Sequence, residues 1–454
     1  MKREKRRLRP RAWLLGVLAA CAAPAAELPP VTCDVAVVGG GSAGICAAVQ
    51  SGRAGAKTVL VEAAHQVGGN TTTGGVNFPG LFHAWGRQVI AGIGWNLVTN
   101  SVALDGGRLP DFSQPTGTSH WKHQVVLNIP LFVALSEEAL AQAGVTLHYH
   151  AAPLRIEKAA GGWRVTTAAA GDTRVITCKQ LVDCTGNGAV AALLGLERLR
   201  EEERQPGSFV YHIELNADVA ALDAPLLQER FNAAVKAGTV QRGDCRGNVM
   251  GYVRAGGGTM NYVEDADSST ADARTETNLR GRAAALRMLR FLRSVPGLEK
   301  AQLASMSPEV GIRETYRVAG EALITHQDYT SGRRWDDAVC HAFYPIDLHD
   351  KKSGVKPAHL REGVVATVPL RALLPKGCPN LLVAGRCLSS DRLANSALRV
   401  QATCMATGQA AGAAAALAAK HGVTPGEVPL AELKALLSAN GAILPAEAGP
   451  GVLN

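Results

Sequence analysis

The sequence predicts an α/β fold in which a parallel sheet with a β-meander carries a second, inserted α+β unit. Three observations support this prediction. A β-branched run at 35–38 passes directly into a glycine-rich turn and a helix-like segment, strand-like segments follow one another at 144–186, and an apolar strand at 380–386 precedes a long Ala-rich segment. Short apolar runs bounded by glycines are typical of buried parallel strands.

The composition is that of a large globular protein without a nucleic-acid partner. The chain has 454 residues, 47% of them hydrophobic, and a formal net charge of +8. Seven Lys or Arg against Glu4 give residues 1–11 a charge of +6, which leaves only +2 of that total for the rest. Because the charge is so localised, nucleic-acid binding is not expected. The ten cysteines include no C-x-x-C pair, so no metal site is predicted.

The first thirty residues have the order of a secretory signal peptide. A basic segment is followed by the apolar run AWLLGVLAA and then by small residues. Residues 18–21 resemble a lipoprotein cleavage box with Cys21 as the lipidated residue, whereas 23–25 offer an ordinary cleavage site. Both alternatives stay open, beside a disordered basic tail. We therefore predict an exported protein, either periplasmic or anchored by a lipid at Cys21.

The turn after the first strand has the spacing of a dinucleotide site. Gly39, Gly41 and Gly44 form G-x-G-x-x-G between a strand and a helix. The first glycine allows the tight turn, the second lets the backbone approach a pyrophosphate, and the third lets helix and strand pack closely. Ser42 and Ala43 begin the helix, whose free N–H groups and dipole favour a phosphate.

A second strand and a second glycine-rich loop extend this site. The strand TVLVE ends at Glu62, eighteen residues after Gly44, where a carboxylate can accept the ribose hydroxyls. The following AAHQVGGNTTTGG, with bare backbone positions and hydroxyls, suits another close approach to the ligand. A flexible surface loop is the alternative interpretation.

Two distant segments favour FAD over NAD. The strand TRVITCKQLVD runs into a Thr-Gly pair that ends at Gly186, and the strand NLLVAG ends at Gly385. The Ala-rich helical region that follows can direct its N-terminus toward the flavin, where negative charge grows on reduction.

These segments resemble the glutathione-reductase-type FAD-dependent oxidoreductases, and more closely the bacterial proteins described simply as FAD-dependent oxidoreductases. The resemblance extends over residues 33–420 and includes the blocks GIRETYRVAGE, FYPIDLHD, VPLRALLPKGCPNLLVAGRCLSS and LRVQATCMATGQAAG. It implies FAD as the cofactor and leaves the substrate open. The pattern often has an acidic residue soon after the Thr-Gly pair, where this chain has Asn187.

The resemblance also implies which residues contact the cofactor. These are Gly39, Gly41, Ser42, Ala43 and Gly44 at the pyrophosphate, Glu62 at the adenosine ribose, Gly69, Asn70, Thr71 and Thr72 along the pyrophosphate and ribityl side, Gly186 as a second contact, Gly385 and Arg386 near the ribityl chain, and Arg399 at the charged part of the cofactor.

The predicted domain organisation follows from these blocks. A signal peptide occupies 1–30, a discontinuous FAD-binding domain 31–203 and 366–422, an inserted substrate (cap) domain 204–365, and a C-terminal extension 423–454.

The inserted domain carries the candidate catalytic residues. Arg313 and Arg317 are predicted to fix the substrate or the flavin edge. His341, with Tyr344 as the alternative, is predicted to move the proton, because a histidine titrates near neutrality. Polar side chains of such clusters are mostly exposed or structural. The remaining candidates are Tyr316, His326, His349, His83, His120, Trp121 and His123.

The predicted function is hydride transfer between flavin N5 and a small, polar, hydroxyl-bearing substrate, with an unidentified electron acceptor or donor as partner. Two alternatives stay open. One is flavin-dependent reduction of an unsaturated acceptor, and the other is an FAD-holding electron carrier or binding lipoprotein without chemistry of its own.

Overall fold

The structure is a computed structural model, which describes residues 26–114, 117–245, 247–256, 261–350, 354–355 and 357–446. Cys21 and most of the predicted signal peptide lie outside these residues.

Twenty strands and eleven α-helices are present in the described part of the chain. The strands are β1 (Ala26–Glu27), β2 (Val31–Val38), β3 (Thr58–Val61), β4 (His83–Ala84), β5 (Arg87–Gln88), β6 (Thr146–His148), β7 (Ala152–Ala159), β8 (Gly162–Ala169), β9 (Asp172–Asp183), β10 (Arg198–Leu199), β11 (Gly207–Phe209), β12 (Tyr211–Glu214), β13 (Asn261–Val263), β14 (Gln302–Met306), β15 (Arg317–Val318), β16 (Ala338–Ala342), β17 (His349–Asp350), β18 (Gly354–Val355), β19 (Ala366–Pro369) and β20 (Leu381–Val383). The helices are α1 (Ser42–Arg53), α2 (Ile93–Leu104), α3 (Ile129–Gln142), α4 (Ala189–Leu193), α5 (Ala224–Lys236), α6 (Val249–Arg254), α7 (Ala271–Arg293), α8 (His326–Ser331), α9 (Arg392–Leu398), α10 (Gln401–His421) and α11 (Leu430–Ala439).

The main sheet has eight strands and confirms the predicted α/β class. Its order is β6-β3-β2-β9-β8-β7, and β1 and β20 also pair with β9. The strands β6, β3, β2, β9 and β20 run parallel, whereas β7, β8 and β9 form an antiparallel meander. One detail differs from the prediction. The segment VTLHYH contributes β6 to the parallel part, and the unpredicted APLRIEKA supplies β7 of the meander.

The three cofactor segments predicted from distant parts of the chain end at one edge of this sheet. Val38 at the end of β2 is the register partner of Asp183 in β9, and Asp183 in turn pairs with Val383 of β20. Because the strands are parallel, the turns that follow them lie side by side at the carboxyl edge, where ligands of such sheets bind.

The helices α1 and α10 pack against each other across unusually small residues. A Cβ atom at Gly408 would lie 2.1 Å from the carbonyl oxygen of Ala43, and one at Gly412 would lie 2.2 Å from that of Ala47. Nearly all of α10 is buried. A helix that is apolar all round belongs in a core, so its Ala-rich composition reflects burial on every side.

A second hydrophobic core lies inside the inserted segment. It gathers buried side chains between Phe209 and Ile312, many of them from β11–β13, β12–β14 and the helices α5–α7. Buried residues between Ile324 and Ala366, including those of β16, instead share a core with α1 and α10. The domain boundaries at 204 and 365 stay predictions.

The predicted signal peptide overlaps the folded chain at its end, because β1 pairs with the start of β9. None of the helices in the described ranges is long and apolar enough to span a bilayer.

Candidate active site

The glycines of the glycine-rich turn have two different roles: two are required by the fold, and a third leaves room for a ligand. Gly39 has a φ of +97°, and a Cβ atom there would lie 2.6 Å from the backbone of Cys184. A Cβ atom at Gly44 would lie 1.8 Å from the carbonyl oxygen of Gly39. Gly41 has an ordinary φ of −68°, and a Cβ atom there would meet nothing within 4 Å. The space beside Gly41 therefore suits a pyrophosphate.

The first turn of α1 offers unpaired donors at this open space. Its N-cap is Gly41, which has no side chain to accept hydrogen bonds from the first N–H groups. Ser42 and Ala43 follow, as predicted, and the Ser42 hydroxyl lies 3.0 Å from Thr71 Oγ1. The positive end of the helix dipole adds to the attraction for a phosphate.

Glu62 is held rigidly at the end of β3. Its Oε2 accepts a hydrogen bond from Gly40 N at 2.5 Å, and its Oε1 accepts one from Ala64 N at 2.7 Å. Each oxygen of an ionised carboxylate has two acceptor sites. Each oxygen thus has one further lone pair for a ribose hydroxyl.

The Gly69–Thr72 loop joins the sheet edge to the inserted segment. Asn70 Nδ2 donates to Ile312 O at 2.7 Å, and Ile312 N donates back to Asn70 Oδ1 at 3.3 Å. Thr71 donates to the first side chain of α10 at 2.7 Å, and Thr72 donates to its own loop at 2.6 Å. These hydroxyls order the loop, and Asn70 borders a cavity beyond it.

Arg386 connects the other two cofactor segments. Its Nε donates to Gly186 O at 2.8 Å, and its Nη1 donates to Ile312 O. Burial lowers the pKa of Arg386 to about 10. Gly385 adopts a φ of +80°, and a Cβ atom there would lie 2.9 Å from Ala43 Cβ. Both residues therefore hold the turns together beside α1.

A cavity of about 380 Å³ extends from these turns toward the inserted segment. One wall comes from the loop around Asn70 and from the start of α10. The cavity lining also carries polar groups that can bind or protonate a small molecule. The polar lining includes Arg313, Tyr344, Asp347, His349, Arg399 and Gln401.

Three side chains form a hydrogen-bonded chain at this cavity. His349 Nε2 lies 2.9 Å from Asp347 Oδ2, and His349 Nδ1 lies 2.6 Å from the Tyr262 hydroxyl. Although burial raises the pKa of Asp347, the hydrogen bond from His349 and nearby positive charges bring it down to about 2. Burial lowers the pKa of His349 to about 4, against the opposing effect of Asp347. At neutral pH the carboxylate is ionised and the imidazole is neutral.

This charge state fixes the tautomer of His349. An ionised carboxylate only accepts hydrogen bonds, so Nε2 carries the proton and donates to Asp347. The lone pair is then on Nδ1, where it accepts a hydrogen bond from the Tyr262 hydroxyl. Nδ1 is therefore the basic atom of His349.

The tyrosine predicted as an alternative base is a donor instead. The Tyr344 hydroxyl accepts a hydrogen bond from Gln124 Nε2 at 3.0 Å, and Tyr344 N donates a hydrogen bond to the Tyr329 hydroxyl at 2.9 Å. Burial raises the pKa of Tyr344 to about 12. Tyr344 thus keeps its proton and can donate a hydrogen bond into the cavity.

Two arginines border the cavity. Arg313 donates to Pro206 O at 2.5 Å, and its guanidinium carbon lies 5.0 Å from the centroid of the Tyr262 ring. Arg399 lies between α9 and α10 and donates to Gln205 Oε1 at 3.2 Å and to the backbone oxygen of Asp347 at 3.1 Å.

His341 and Arg317 do not line this cavity. His341 borders a separate, water-sized cavity of about 10 Å³ next to α11, and burial lowers its pKa to about 4. Arg317 forms two hydrogen bonds to Glu201 at 2.7 and 2.9 Å and donates to Ser390 O at 2.9 Å. Arg317 is buried and forms an ion pair with Glu201, whose side chain is 42% exposed.

The secondary candidates divide in the same way. His120 and Trp121 line the cavity, together with His349. The others lie elsewhere: His83 stacks on Phe112 with centroids 3.8 Å apart, His123 Nε2 lies 3.2 Å from Asp111 O, and Arg198 covers the Tyr316 ring at 3.9 Å. His326 begins α8. No group of three or more His, Cys, Asp or Glu in the described ranges is arranged to hold a metal.

Sequence reasoning missed Tyr262 and the role of Asp347. Asp347 and His349 are separated by one residue in FYPIDLHD, a spacing that places side chains on one face of an extended segment. This spacing was an available signal. Tyr262 lies 87 residues before His349, and no local pattern links the two.

An open pyrophosphate turn beside a cavity with acid–base side chains defines a dinucleotide-dependent oxidoreductase. The model of the FAD dependent oxidoreductase family matches residues 34–437. The chain therefore belongs to this family, is an oxidoreductase, and uses FAD as its cofactor. The space at Gly41, the uncapped start of α1 and the spare acceptors of Glu62 all fit that cofactor.

Comparison with solved structures finds distant likeness. A geranylgeranyl bacteriochlorophyll reductase-like protein from Thermoplasma acidophilum has 13% identity and a TM-score of 0.40, over 90% of this chain and 83% of that one. OxyS anhydrotetracycline hydroxylase from Streptomyces rimosus has 16% identity and a TM-score of 0.30, over 41% of this chain and only 39% of that one. The comparison with curated proteins finds no match.

We predict that Gly41→Leu abolishes FAD binding without unfolding the protein. Any residue can adopt the φ of Gly41, so a leucine there would not strain the backbone. Its side chain would instead fill the open space in which the pyrophosphate fits. Visible flavin absorbance of the purified protein and its thermal unfolding measure the two effects. Gly44→Leu is the contrast, because its side chain would overlap Gly39 and should lower stability as well. Full FAD occupancy in Gly41→Leu would contradict the assignment.

Proposed function

We propose that the protein oxidises a small hydroxyl-bearing molecule in the 380 Å³ cavity, with His349 as the final acceptor of the hydroxyl proton. The observation that supports this proposal is the Tyr262–His349–Asp347 hydrogen-bonded chain at that cavity. When bound, FAD supplies the two-electron acceptor. Removal of a proton from the substrate hydroxyl is then the task of the protein.

The hydrogen bonds define how the proton moves. Because His349 Nδ1 already accepts from Tyr262, which is not itself among the residues that line the cavity, the proposed path needs the substrate hydroxyl to reach the Tyr262 oxygen, which receives that proton as it passes its own to Nδ1. Asp347 stabilises the imidazolium that results and keeps the ring in the required tautomer. General base catalysis of this kind typically contributes about 10² to 10⁴ in rate.

The orientation of the substrate is assigned to neighbouring groups. The Tyr344 hydroxyl, which stays protonated, and the side chain of Gln401 can both bond a substrate oxygen. Trp121, which is 59% exposed, also lines the cavity.

We also propose that the chain lies in the glutathione-reductase-type branch. Support comes from the N-terminal glycine turn, the Thr-Gly strand end and the C-terminal strand before a helix, which all meet at one sheet edge.

We expect His349→Gln to slow anaerobic flavin reduction by a turnover substrate by about 10² to 10⁴. A panel of alcohols, sugars and hydroxy acids, mixed with the FAD-loaded protein, identifies that substrate by bleaching. His341→Gln, at the separate cavity, should reduce its flavin at the parental rate.

The relay can be tested with the double variant. If Tyr262 passes the proton, Tyr262→Phe and His349→Gln together should cost about as much as either alone, since the two act as a unit. Bleaching by no compound would favour the electron-carrier alternative. A slow His341→Gln with an unaffected His349→Gln would restore the sequence-based assignment.

The pH dependence follows from the lowered pKa of His349. The base must be unprotonated, so kcat/KM should stay high down to mildly acidic pH and fall as the pH drops through about 4. A histidine with its ordinary pKa of about 6.5 would lose activity well above that pH. A stopped-flow profile of flavin reduction distinguishes the two, and a midpoint near 6.5 would contradict the neutral, buried His349.

Export and lipid anchoring at Cys21 are proposed from the leader sequence alone. Cys21→Ala should move the FAD-loaded protein from the membrane fraction to the soluble exported fraction, because the acyl attachment site is lost. Deletion of 1–20 should retain a folded, FAD-loaded protein in the cytosol. Fractionation followed by flavin absorbance measures both, and a native protein confined to the cytosol would exclude export.

A further inference from the structure

We propose that the cavity contains a carboxylate subsite at Arg399, so that the substrate is a hydroxy acid or a similar monoanion. This inference rests on the proposed function only in taking the cavity as the substrate site. It goes beyond it by assigning the charge of the substrate and the residue that recognises it.

The first observation is an unused donor on Arg399. The Nε–H group is buried and has no acceptor among the described residues. The Arg399 side chain is only 11% exposed, and it lines the cavity. A buried N–H without a partner costs free energy, and in the proposed complex the guanidinium turns toward the cavity that it lines, so that a ligand oxygen accepts from Nε–H.

The second observation is the direction in which Arg399 is held. Its Nη2 donates to Gln205 Oε1 and to the backbone oxygen of Asp347. Gln205 also accepts from His349 N, and its own amide donates to Glu314. Arg399 is therefore fastened beside the proton-accepting group, and not at the Gly39–Gly44 turn where the pyrophosphate fits. The proposal therefore assigns Arg399 to the substrate, whereas the resemblance implies a contact with the charged part of the cofactor.

The third observation is the charge of the described cavity lining. It carries the guanidinium groups of Arg313 and Arg399, the ionised Asp347, and the neutral His349. Asp347 Oδ2 is 3.8 Å from Arg399 Nη2 but 2.9 Å from His349 Nε2, so the carboxylate interacts more closely with the imidazole than with the guanidinium. A ligand carboxylate complements this lining, and Arg is the side chain best suited to bind one through two donors.

The remaining lining restricts the rest of the ligand. Val76, Phe78, Val400 and the Trp121 ring provide apolar surface between the polar groups. A molecule with one carboxylate, one hydroxyl and an apolar or aromatic body matches this distribution. A highly charged ligand such as a nucleotide or a sugar bisphosphate does not.

The test compares two probes that differ in charge alone. Phenylacetate and phenylacetamide have nearly the same size and shape, and neither has a hydroxyl that can be oxidised. Each is titrated into FAD-loaded protein at constant ionic strength, with flavin absorbance and thermal unfolding as readouts. We expect phenylacetate to bind at least about tenfold more tightly than phenylacetamide, since an Arg–carboxylate hydrogen bond is of that size.

Variants locate the preference on Arg399. Arg399→Gln should bind the two probes equally, and Arg399→Lys should recover part of the difference because it retains the charge. Arg333→Gln is the matched control, since Arg333 is half exposed, pairs with Asp328 at 2.9 Å and is not part of the cavity lining. It should keep the parental difference.

The outcomes separate this inference from the oxidation proposed above. Equal binding by the parent protein, or a preference for phenylacetate that survives in Arg399→Gln, would overturn the subsite. A second outcome would also overturn the subsite. If Arg399→Gln loses FAD, while Arg399→Lys and FAD-reconstituted Arg399→Gln keep the parental preference for phenylacetate, Arg399 belongs to the cofactor site. A charge preference that depends on Arg399 supports the subsite even if no hydroxy acid bleaches the flavin.

Discussion

The close contact between α1 and α10 is the constraint on which the site depends. The start of α1 faces the space left at Gly41, and the start of α10 borders the substrate cavity. Both helix starts are placed by the same interface, where Gly408 and Gly412 bring α10 against the carbonyl oxygens of Ala43 and Ala47. A side chain at either glycine would move one helix start relative to the other. The distance between the space at Gly41 and the cavity is thus set by backbone packing, which is less adaptable than side-chain contacts.

The polar groups of the cavity are fixed in a comparable way by burial. Desolvation keeps His349 neutral. Asp347 stays ionised in spite of its burial, because it is hydrogen-bonded to His349 and lies near the positive charges of the arginines. Removing any partner would leave a buried charge or donor unsatisfied, which is expensive in a low-dielectric interior. This interdependence explains why the histidine has a single tautomer before any substrate arrives.

The sequence was sufficient for the cofactor half of the molecule and insufficient for the substrate half. The glycine turn, Glu62 and the strands ending at Gly186 and Gly385 follow local rules, because strand, turn and helix are adjacent in the chain. The Asp347–His349 spacing was a local signal in favour of His349, but otherwise His341 and His349 look alike, since both are buried histidines in short strands of one segment. The difference lies in packing: β16 joins the core of α1 and α10, whereas His349 meets Tyr262 from β13. Contacts over such separations are determined by the fold and leave no periodic pattern.

The break between α9 and α10 shows how one local irregularity serves both halves. The Ala-rich region was expected to form a single helical region, but Arg399 ends α9 and Val400 adopts an extended conformation as the N-cap of α10. An uninterrupted helix would use its backbone N–H groups internally at this point. The break instead creates a new helix start at the cavity and places the Arg399 side chain beside Asp347. The N-terminal, positive end of α10 and the guanidinium of Arg399 therefore both border the 380 Å³ cavity.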